Sequence, residues 1–420
     1  MEKPLLVIIG YVWPEPGSSA AGRHMMEIIQ VFQSAQWRII FASPAADCAY
    51  KADLGSLDIP QQSIELNSDS FDKWIQPLSP DAVLFDRFMM EEQFGWRVAR
   101  RCPEAMRILD TEDLHFLRQG REAVVRQKST TEVGKAGNET ALREIASIYR
   151  SDLSLIISST EMQLLKQEYA IPDELLHYFP FLSEQPSNSL AGFAERKDFL
   201  FVGTARHAPN LDAIRYLKTT LWPAIRKQLP GTCLNIVSSY PTKEISQMHK
   251  PETGFCVLGH VEHLEPLLES CRVFLAPLRF GAGLKGKLIE AMQWGMPSVT
   301  TATGAEGIAP DDNWPGAVVP DDESFDESFD ELFVRAASAI YQSESQWKQA
   351  QQTGLDLLRD HFDSKQHSRQ LSQRIMQVMQ DLHRLRANNF TGQMLMHHSM
   401  RSTEFMSRWI DCKNRKSAEN

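Results

Sequence analysis

Cysteine is scarce, with six in 420 residues, at positions 48, 102, 233, 256, 271 and 412. None forms a Cys-x-x-Cys pair, and they are too scattered for a disulfide framework. That excludes a stapled secreted fold, and a reducing cytosol fits best. Long apolar runs are missing too. No stretch approaches the ~18 residues of a membrane-spanning helix. The short run Leu-Leu-Val-Ile-Ile at 5–9 is too brief for a signal-peptide core and reads as a first strand. Positive charge is in deficit: 44 Lys and Arg against 54 Asp and Glu leave a net −10. Sequence-independent nucleic-acid binding needs a basic face, so that class is disfavoured, although a local basic patch is not. No Asp-x-Asp occurs. A Mg²⁺ or Mn²⁺ held on a diphosphate needs such carboxylates, so the expectation is chemistry without a metal.

What is present is an ordinary globular composition, 42% hydrophobic and 23% charged, on a chain long enough for two domains. Short continuous apolar runs at 5–9, 37–42, 82–85, 106–109 and 153–157 alternate with amphipathic segments at 23–35, 91–101 and 160–169. Such alternation predicts an α/β fold with a parallel sheet covered on both faces. Residues 182–192 lose all periodicity and are rich in Ser, Pro and Gly, as a linker would be. A second series follows, with strands near 198–203, 233–237, 255–258, 273–276 and 298–300 and helices near 211–228, 264–270 and 287–294. The expected organisation is a domain over 1–185, a second over 186–370, and a helical, net basic tail over 371–420. The acidic stretch 311–331 reads as a solvated loop and helix start.

The densest signal is the stretch from Phe274 to Val299. There a strand meets the turn Gly281-Ala-Gly283-Leu-Lys285-Gly286-Lys287, which opens a helix carrying Glu290. Glycines, a helix N-terminus and two lysines make an anion site. The turn matches G-x-x-x-x-G-K, but Leu288 replaces the hydroxyl residue that would ligate Mg²⁺, so an ATPase or GTPase is disfavoured. A bland alternative is a surface turn in which Lys287 pairs with Glu290. Glu290 has the wrong sign for phosphate and would suit sugar hydroxyls. Phosphate and sugar together point to a nucleotide-sugar.

The second half resembles the retaining "group 1" glycosyltransferases, whose two facing Rossmann-like domains make the GT-B fold. Phe201-Val-Gly203-Thr204-Ala-Arg206-His207-Ala-Pro-Asn210 looks like the family's opening strand, loop and helix. Leu258-Gly259-His-Val-Glu262 looks like its mid-domain strand end, and the block 273–308, with Thr303-Gly304-Ala-Glu306-Gly307, matches best. The resemblance implies donor phosphates above Gly203 and Thr204 and on the glycines Gly283 and Gly286. Arg206, Lys285 and Lys287 would neutralise them, Leu288 would offer its backbone N–H, and Glu290 would hold the ribose. His207, Asn210 and Glu306 fall in the matched motifs and join the donor side. Two positions depart from the pattern. Ala282 stands where relatives often carry a sugar-binding glutamate, and Leu211 where they often carry a lysine.

In the first half, Gly17, Gly22 and Arg23 lie in the loop after the first strand, suited to phosphate or acceptor. Asp110-Thr-Glu112-Asp113-Leu-His115 follows a later strand end and looks like the family's acceptor-side loop. His115 would face the donor sugar, and Asp113 would orient it or the acceptor. Asp86-Arg87 closes a third strand. The resulting expectation is a retaining transferase moving sugar from a nucleotide-diphospho-sugar to a hydroxyl of a glycan or lipid-linked glycan. It would act in the cytoplasm, without a metal or cofactor, and with peripheral membrane contact in view. Residues 118–150 hold seven Lys or Arg against four Glu, a weak interfacial signal. A nucleotide-sugar epimerase and a non-catalytic nucleotide-sugar-binding or scaffold protein remain as alternatives.

Overall fold

The computed structural model describes residues 3–126, 138–184, 190–309, 313–320 and 328–418. The first sheet contains β1 (Leu5–Ile9), β2 (Arg38–Ser43), β3 (Gln61–Ser63), β4 (Ala82–Asp86), β5 (Met106–Asp110), β6 (Leu153–Ile156) and β7 (Leu176–Tyr178), in the order β3-β2-β1-β4-β5-β6-β7. The second contains β8 (Phe199–Val202), β9 (Leu234–Val237), β10 (Phe255–Gly259), β11 (Val273–Ala276), β12 (Ser298–Thr301) and β13 (Gly316–Val319), in the order β10-β9-β8-β11-β12-β13. Every described pairing within both sheets is parallel. Helices cover both faces, so β1 and β4 are buried at all five positions. Unbroken apolar strands are what such burial requires.

In each sheet the chain starts in the middle, winds outward, then returns to fill the other side. The strand order therefore reverses between β1 and β4 and again between β8 and β11. Crevices at the carboxyl ends of strands, where the order reverses, are where such sheets take ligands. Three strands escape the apolar reading: β3, β7 and β13. All are edge strands of three or four residues. Gln61-Gln-Ser63 has no hydrophobic signature because it joins β2 through its backbone alone.

After the second sheet the chain comes back to the first domain. Asp363 caps the helix Ser364–Gln380 by accepting from the Gln366 N–H at 2.7 Å. Residues 364–370, expected with the second domain, therefore begin a helix whose Leu371, Ile375 and Val378 enter the first domain's core. Three such side chains contribute roughly 5–8 kcal/mol as an upper bound. The tail packs back on the same domain as the helices Leu382–Asn388 and Phe390–Ala418. Arg386 clamps buried Asp152 with bonds of 2.8 and 2.7 Å and also reaches the carbonyls of Pro103 and Ala105. Of the segments singled out by sequence, 185–189 of the linker, 127–137 of the basic stretch and 311–312 and 321–327 of the acidic stretch lie outside the described residues.

Candidate active site

The glycine-rich turn leaves β11 and is pinned from below. Thr300 and Thr301 donate through Oγ1 to the carbonyls of Ala276 and Leu278 at 2.8 and 2.6 Å. Gly283 has φ +61°, and a Cβ there would come within 2.8 Å of the Asp113 Cβ of the opposite domain. Its N–H donates to Glu161 Oε1 at 2.7 Å, again across the domains. Gly286 is equally constrained, because its Cβ would meet that of Ala20 at 2.9 Å. These glycines set how closely the two domains approach. Ala282 packs against the apolar cluster of the first domain.

The lysines sit where the helix Gly286–Gln293 begins. Lys285 is only 7% exposed and donates to the Gly283 carbonyl at 2.9 Å. Burial pushes its ammonium down to about 8, against the pull of Glu306. Lys287 donates to Asn210 Oδ1 and lies 4.7 Å over the Phe201 ring. Burial and the neighbouring Lys285 push it down to about 7. The Leu288 side chain is fully buried. Its N–H, expected to face phosphate, is taken by the Lys285 carbonyl at 2.8 Å as the helix closes its first turn. Glu290 does not pair with Lys287. It accepts from Arg23 of the first domain at 2.8 Å.

The loop after β8 forms the neighbouring wall. Asn210 donates to the Thr204 carbonyl at 3.1 Å, and its amide packs so tightly on Gly203 that a Cβ there would come within 2.6 Å. Thr204 itself is tied to the Ser239 carbonyl at 3.1 Å. Arg206 lies 3.6 Å over the ring of Tyr240, whose hydroxyl donates to Glu15 of the first domain at 2.7 Å. Burial pushes His207 down to about 4, with Arg118 adding to the effect.

The first domain contributes the loop after β5. Glu144 accepts from the N–H groups of His115 and Phe116 at 2.9 and 2.8 Å, capping the helix His115–Val125 with a carboxylate. This fixes His115 at the helix start, with its Nε2 3.5 Å from Asp113 Oδ1 and its ring edge-on to Phe88. Burial pushes the imidazole down to about 4, so it is neutral at pH 7. Burial also acts to raise Asp113, but Arg118, His115, His207 and Arg87 together hold it below the usual carboxylate range. Arg118 bonds Asp113 and approaches His207 Nε2 at 3.5 Å, joining the two walls. One turn along the same helix face, Arg121 bonds both oxygens of Glu306 at 2.5 and 2.7 Å and the Gly281 carbonyl at 2.8 Å. Sequence reading gave no role to Arg118, Arg121, Glu144 or Glu161.

Behind this loop lies a buried nest of Asp86, Asp110 and Glu112, whose carboxylate oxygens come within 4.8 Å of one another. Arg87 and Glu112 hold positive φ of 71° and 58°. Strain of that kind costs about 1–3 kcal/mol each and persists only where surroundings enforce it. Burial pushes Asp110 up to about 6 and Glu112 up to about 8. His24 lies 3.9 Å from Asp110, and its partners Glu27 and Asp110 raise it to about 9 despite burial. Three carboxylates form an oxygen set that suits a hard divalent ion. Here His24 and Arg87 stand beside the carboxylates as cationic partners, while Asp86 Oδ1, Asp110 Oδ2 and His24 Nε2 are buried without a hydrogen-bond partner.

The glycine loop of the first domain is split in role. Gly17 has open space around it, whereas a Cβ on Gly22 would come within 2.5 Å of the Glu15 backbone. Ser19 caps the helix Ala20–Ser34, which therefore starts three residues before Arg23 and aims Arg23 at Glu290. A hollow of about 670 Å³ opens elsewhere, lined by Lys3, Leu5, Arg38 and Asp58 among others. It lies at the amino ends of β1 and β2, the wrong edge for a ligand of such a sheet.

Residues 196–334 match the family model for glycosyl transferases of group 1. Among solved structures, the chain is similar to a sucrose-phosphate synthase from Thermosynechococcus elongatus, at 13% identity, covering 90% of this chain and 99% of that one, with a TM-score of 0.65. It is similar to HepE from Anabaena in complex with UDP, at 14% identity, 90% and 100% coverage and a TM-score of 0.65. The pneumococcal O-GlcNAc transferase GtfA in complex with UDP and GlcNAc gives 11% identity, 90% and 100% coverage and a TM-score of 0.64. At such identities the likeness is one of fold. No curated protein matches the chain. No described helix is long and apolar enough to cross a membrane. The match over residues 196–334 likens the second domain to the group 1 glycosyl transferases, and the chain as a whole is built as two facing Rossmann-like domains of the GT-B type.

Proposed function

We propose that the protein transfers a sugar, with retention of configuration, from a nucleotide-diphospho-sugar to a hydroxyl of a glycan or lipid-linked glycan at the cytoplasmic side of a membrane. The observation that carries this reading is the opposition of two walls. Lys285 and Lys287 begin a helix on one side, and on the other ionised Asp113, 3.5 Å from neutral His115, meets Gly283 of the same turn. Positive charge fixed before reaction stabilises the departing diphosphate, an effect worth roughly 3–4 kcal/mol per well-placed donor. The leaving phosphate then accepts the proton of the attacking hydroxyl, so no enzyme nucleophile is needed. His115 hydrogen-bonds the donor sugar, Asp113 orients it, Arg206 reaches the diphosphate and Glu290 exchanges Arg23 for the ribose hydroxyls. Entry of the donor requires the inter-domain bonds of Arg121, Glu161 and Arg23 to open, and closure restores those of Arg121 and Glu161.

No metal is assigned a role, since lysines and a helix terminus already oppose the diphosphate. A binding protein without catalysis is the second reading, favoured by Ala282, whose apolar packing stands where relatives often place a sugar-binding glutamate. Incubation with a panel of radiolabelled nucleotide-sugars, with and without EDTA, separates these. Transfer or hydrolysis that survives EDTA supports the proposal. An epimerised donor, a donor bound unchanged, or activity lost to EDTA and restored by Mn²⁺ would overturn it. His115→Ala should lower turnover roughly hundredfold while leaving nucleoside-diphosphate affinity nearly intact.

A further inference from the structure

The helix Phe390–Ala418 packs on the first domain through one side only. Gly392 and Ser407 are buried, Gly392 against the Tyr149 carbonyl and Ser407 as acceptor of a 3.0 Å bond from Arg97. Five large apolar side chains are exposed on the opposite side. Phe390, Met394, Phe405, Met406 and Trp409 are 74, 47, 63, 58 and 59% exposed. At 100° per residue all five fall within about half the circumference, along a stripe of roughly 29 Å. Lone exposed apolar residues are ordinary, but an aligned series on one helix marks a contact surface.

We infer that this stripe is a docking surface for an anionic lipid bilayer, laying the tail helix in the membrane interface. Charge selects this occupant. The tail from 388 to 420 holds five Lys or Arg against three acids in a chain of net −10. Arg408 and Lys413 are exposed beside the apolar stripe, with the Lys413 ammonium 5.3 Å from the Trp409 ring centroid. The two acids of the helix, Glu404 and Asp411, are on its half-buried flank, and Glu404 is held by Arg100 and Arg408. A second copy docking by the same face would bring these cations toward each other, whereas anionic headgroups meet them. Aromatic rings and Met at the acyl boundary with cations at the headgroups are the pattern of an interfacial helix.

The inference rests on the proposed function for its membrane setting, and its test does not use activity, so that failure of one is distinguishable from failure of the other. The full-length protein is sedimented with vesicles of phosphatidylcholine alone or with about a third phosphatidylglycerol, an anionic fraction large enough to set a negative surface potential. Wild type should pellet with the anionic vesicles and far less with the neutral ones. F405S/M406S/W409S should bind at least about tenfold more weakly, because each side chain loses its apolar burial. Arg408→Gln with Lys413→Gln should weaken binding less and flatten its salt dependence. Circular dichroism and thermal melting confirm that each variant is folded. Wild type left in the supernatant with anionic vesicles, or a folded triple variant that binds like wild type, overturns the inference. So does a wild-type dimer in sedimentation velocity that the triple variant converts to monomer, since the stripe would then be covered by a second copy.

Discussion

The titration of Lys287 makes the phosphate site testable without knowing the transferred sugar. Burial and Lys285 push Lys287 down to about 7, and Lys285 stands at about 8. A diphosphate beside either ammonium favours the charged form and should draw it back toward the ordinary ~10.4. Binding must then take up protons, and affinity must fall as pH rises. A group at 7 is about nine-tenths protonated at pH 6 but only about one-hundredth protonated at pH 9. If only the protonated form binds, Lys287 alone weakens nucleoside-diphosphate affinity about hundredfold over that interval. Lys285 adds up to about tenfold more. Calorimetry with UDP and with GDP at pH 8, in two buffers of different ionisation enthalpy, should show uptake of roughly 0.9 proton from Lys287 and half a proton from Lys285. Lys287→Arg, which stays charged throughout, should remove the larger share while retaining affinity at high pH. An affinity flat from pH 6 to 9, with no proton taken up, would refute the assignment of these lysines to the diphosphate.

Glu290→Gln should reduce discrimination between a ribonucleotide and its 2′-deoxy analogue by roughly tenfold in binding assays, since a charged acceptor matters only where a hydroxyl donates; equal effects on both analogues would leave Glu290 as the partner of Arg23 alone. Gly22→Ala places a Cβ 2.5 Å from the Glu15 carbonyl and should cost about 1–3 kcal/mol of stability, read as a lower melting temperature. Arg386→Ala removes two bonds from Asp152, which is 5% exposed, and should destabilise the protein by about 2–3 kcal/mol in urea titrations at pH 7. Burial acts to raise Asp152, but Arg107 and Arg386 hold it below the usual carboxylate range. Its contribution is therefore present above ~4 and lost as pH falls through the folded value, so the deficit of the variant should shrink below about pH 4.

The fold was legible where burial on both sheet faces writes unbroken apolar strands, as at Leu5–Ile9 and Val273–Ala276. It was illegible at β3, β7 and β13, edge strands of three or four residues that send few side chains into a core, Leu176 from β7 and Val319 from β13, and are held by backbone pairing. The helix starts at Ala20 and Ser364 depend on single caps, Ser19 and Asp363, which periodicity does not weigh. The second-domain half of the site was readable because glycines, lysines and a helix start share one short segment. The first-domain half was only partly so: Asp113 and His115 stand out after a strand end, but what positions them does not.

That difference has a physical origin. Glu144 and Glu161 are buried carboxylates on amphipathic helices, at 4 and 2% exposure, and each accepts backbone N–H groups from a loop remote in sequence. A glutamate in such a pattern reads as a solvated face, because nothing local shows that its partner is the start of another helix. The bland alternative for Glu290, a pair with Lys287, fails for the same reason. At i, i+3 the local candidate is Lys287. Yet burial turns Lys287 to Asn210, and Arg23, 267 residues away in the chain, takes the carboxylate. Local spacing fixes which residues can meet on one helix. Which of them do meet depends on the apposed domain, and here glycines decide it by letting Gly283 and Gly286 touch Asp113 and Ala20. Gly283→Ala, at positive φ and with a Cβ 2.8 Å from that of Asp113, should therefore act across the interface. It should hold the domains apart, enlarge the radius of gyration in solution scattering, and lower turnover more than it lowers nucleoside-diphosphate affinity. Unchanged scattering and turnover in that variant would show that the close approach of the two walls is not required for the site to work.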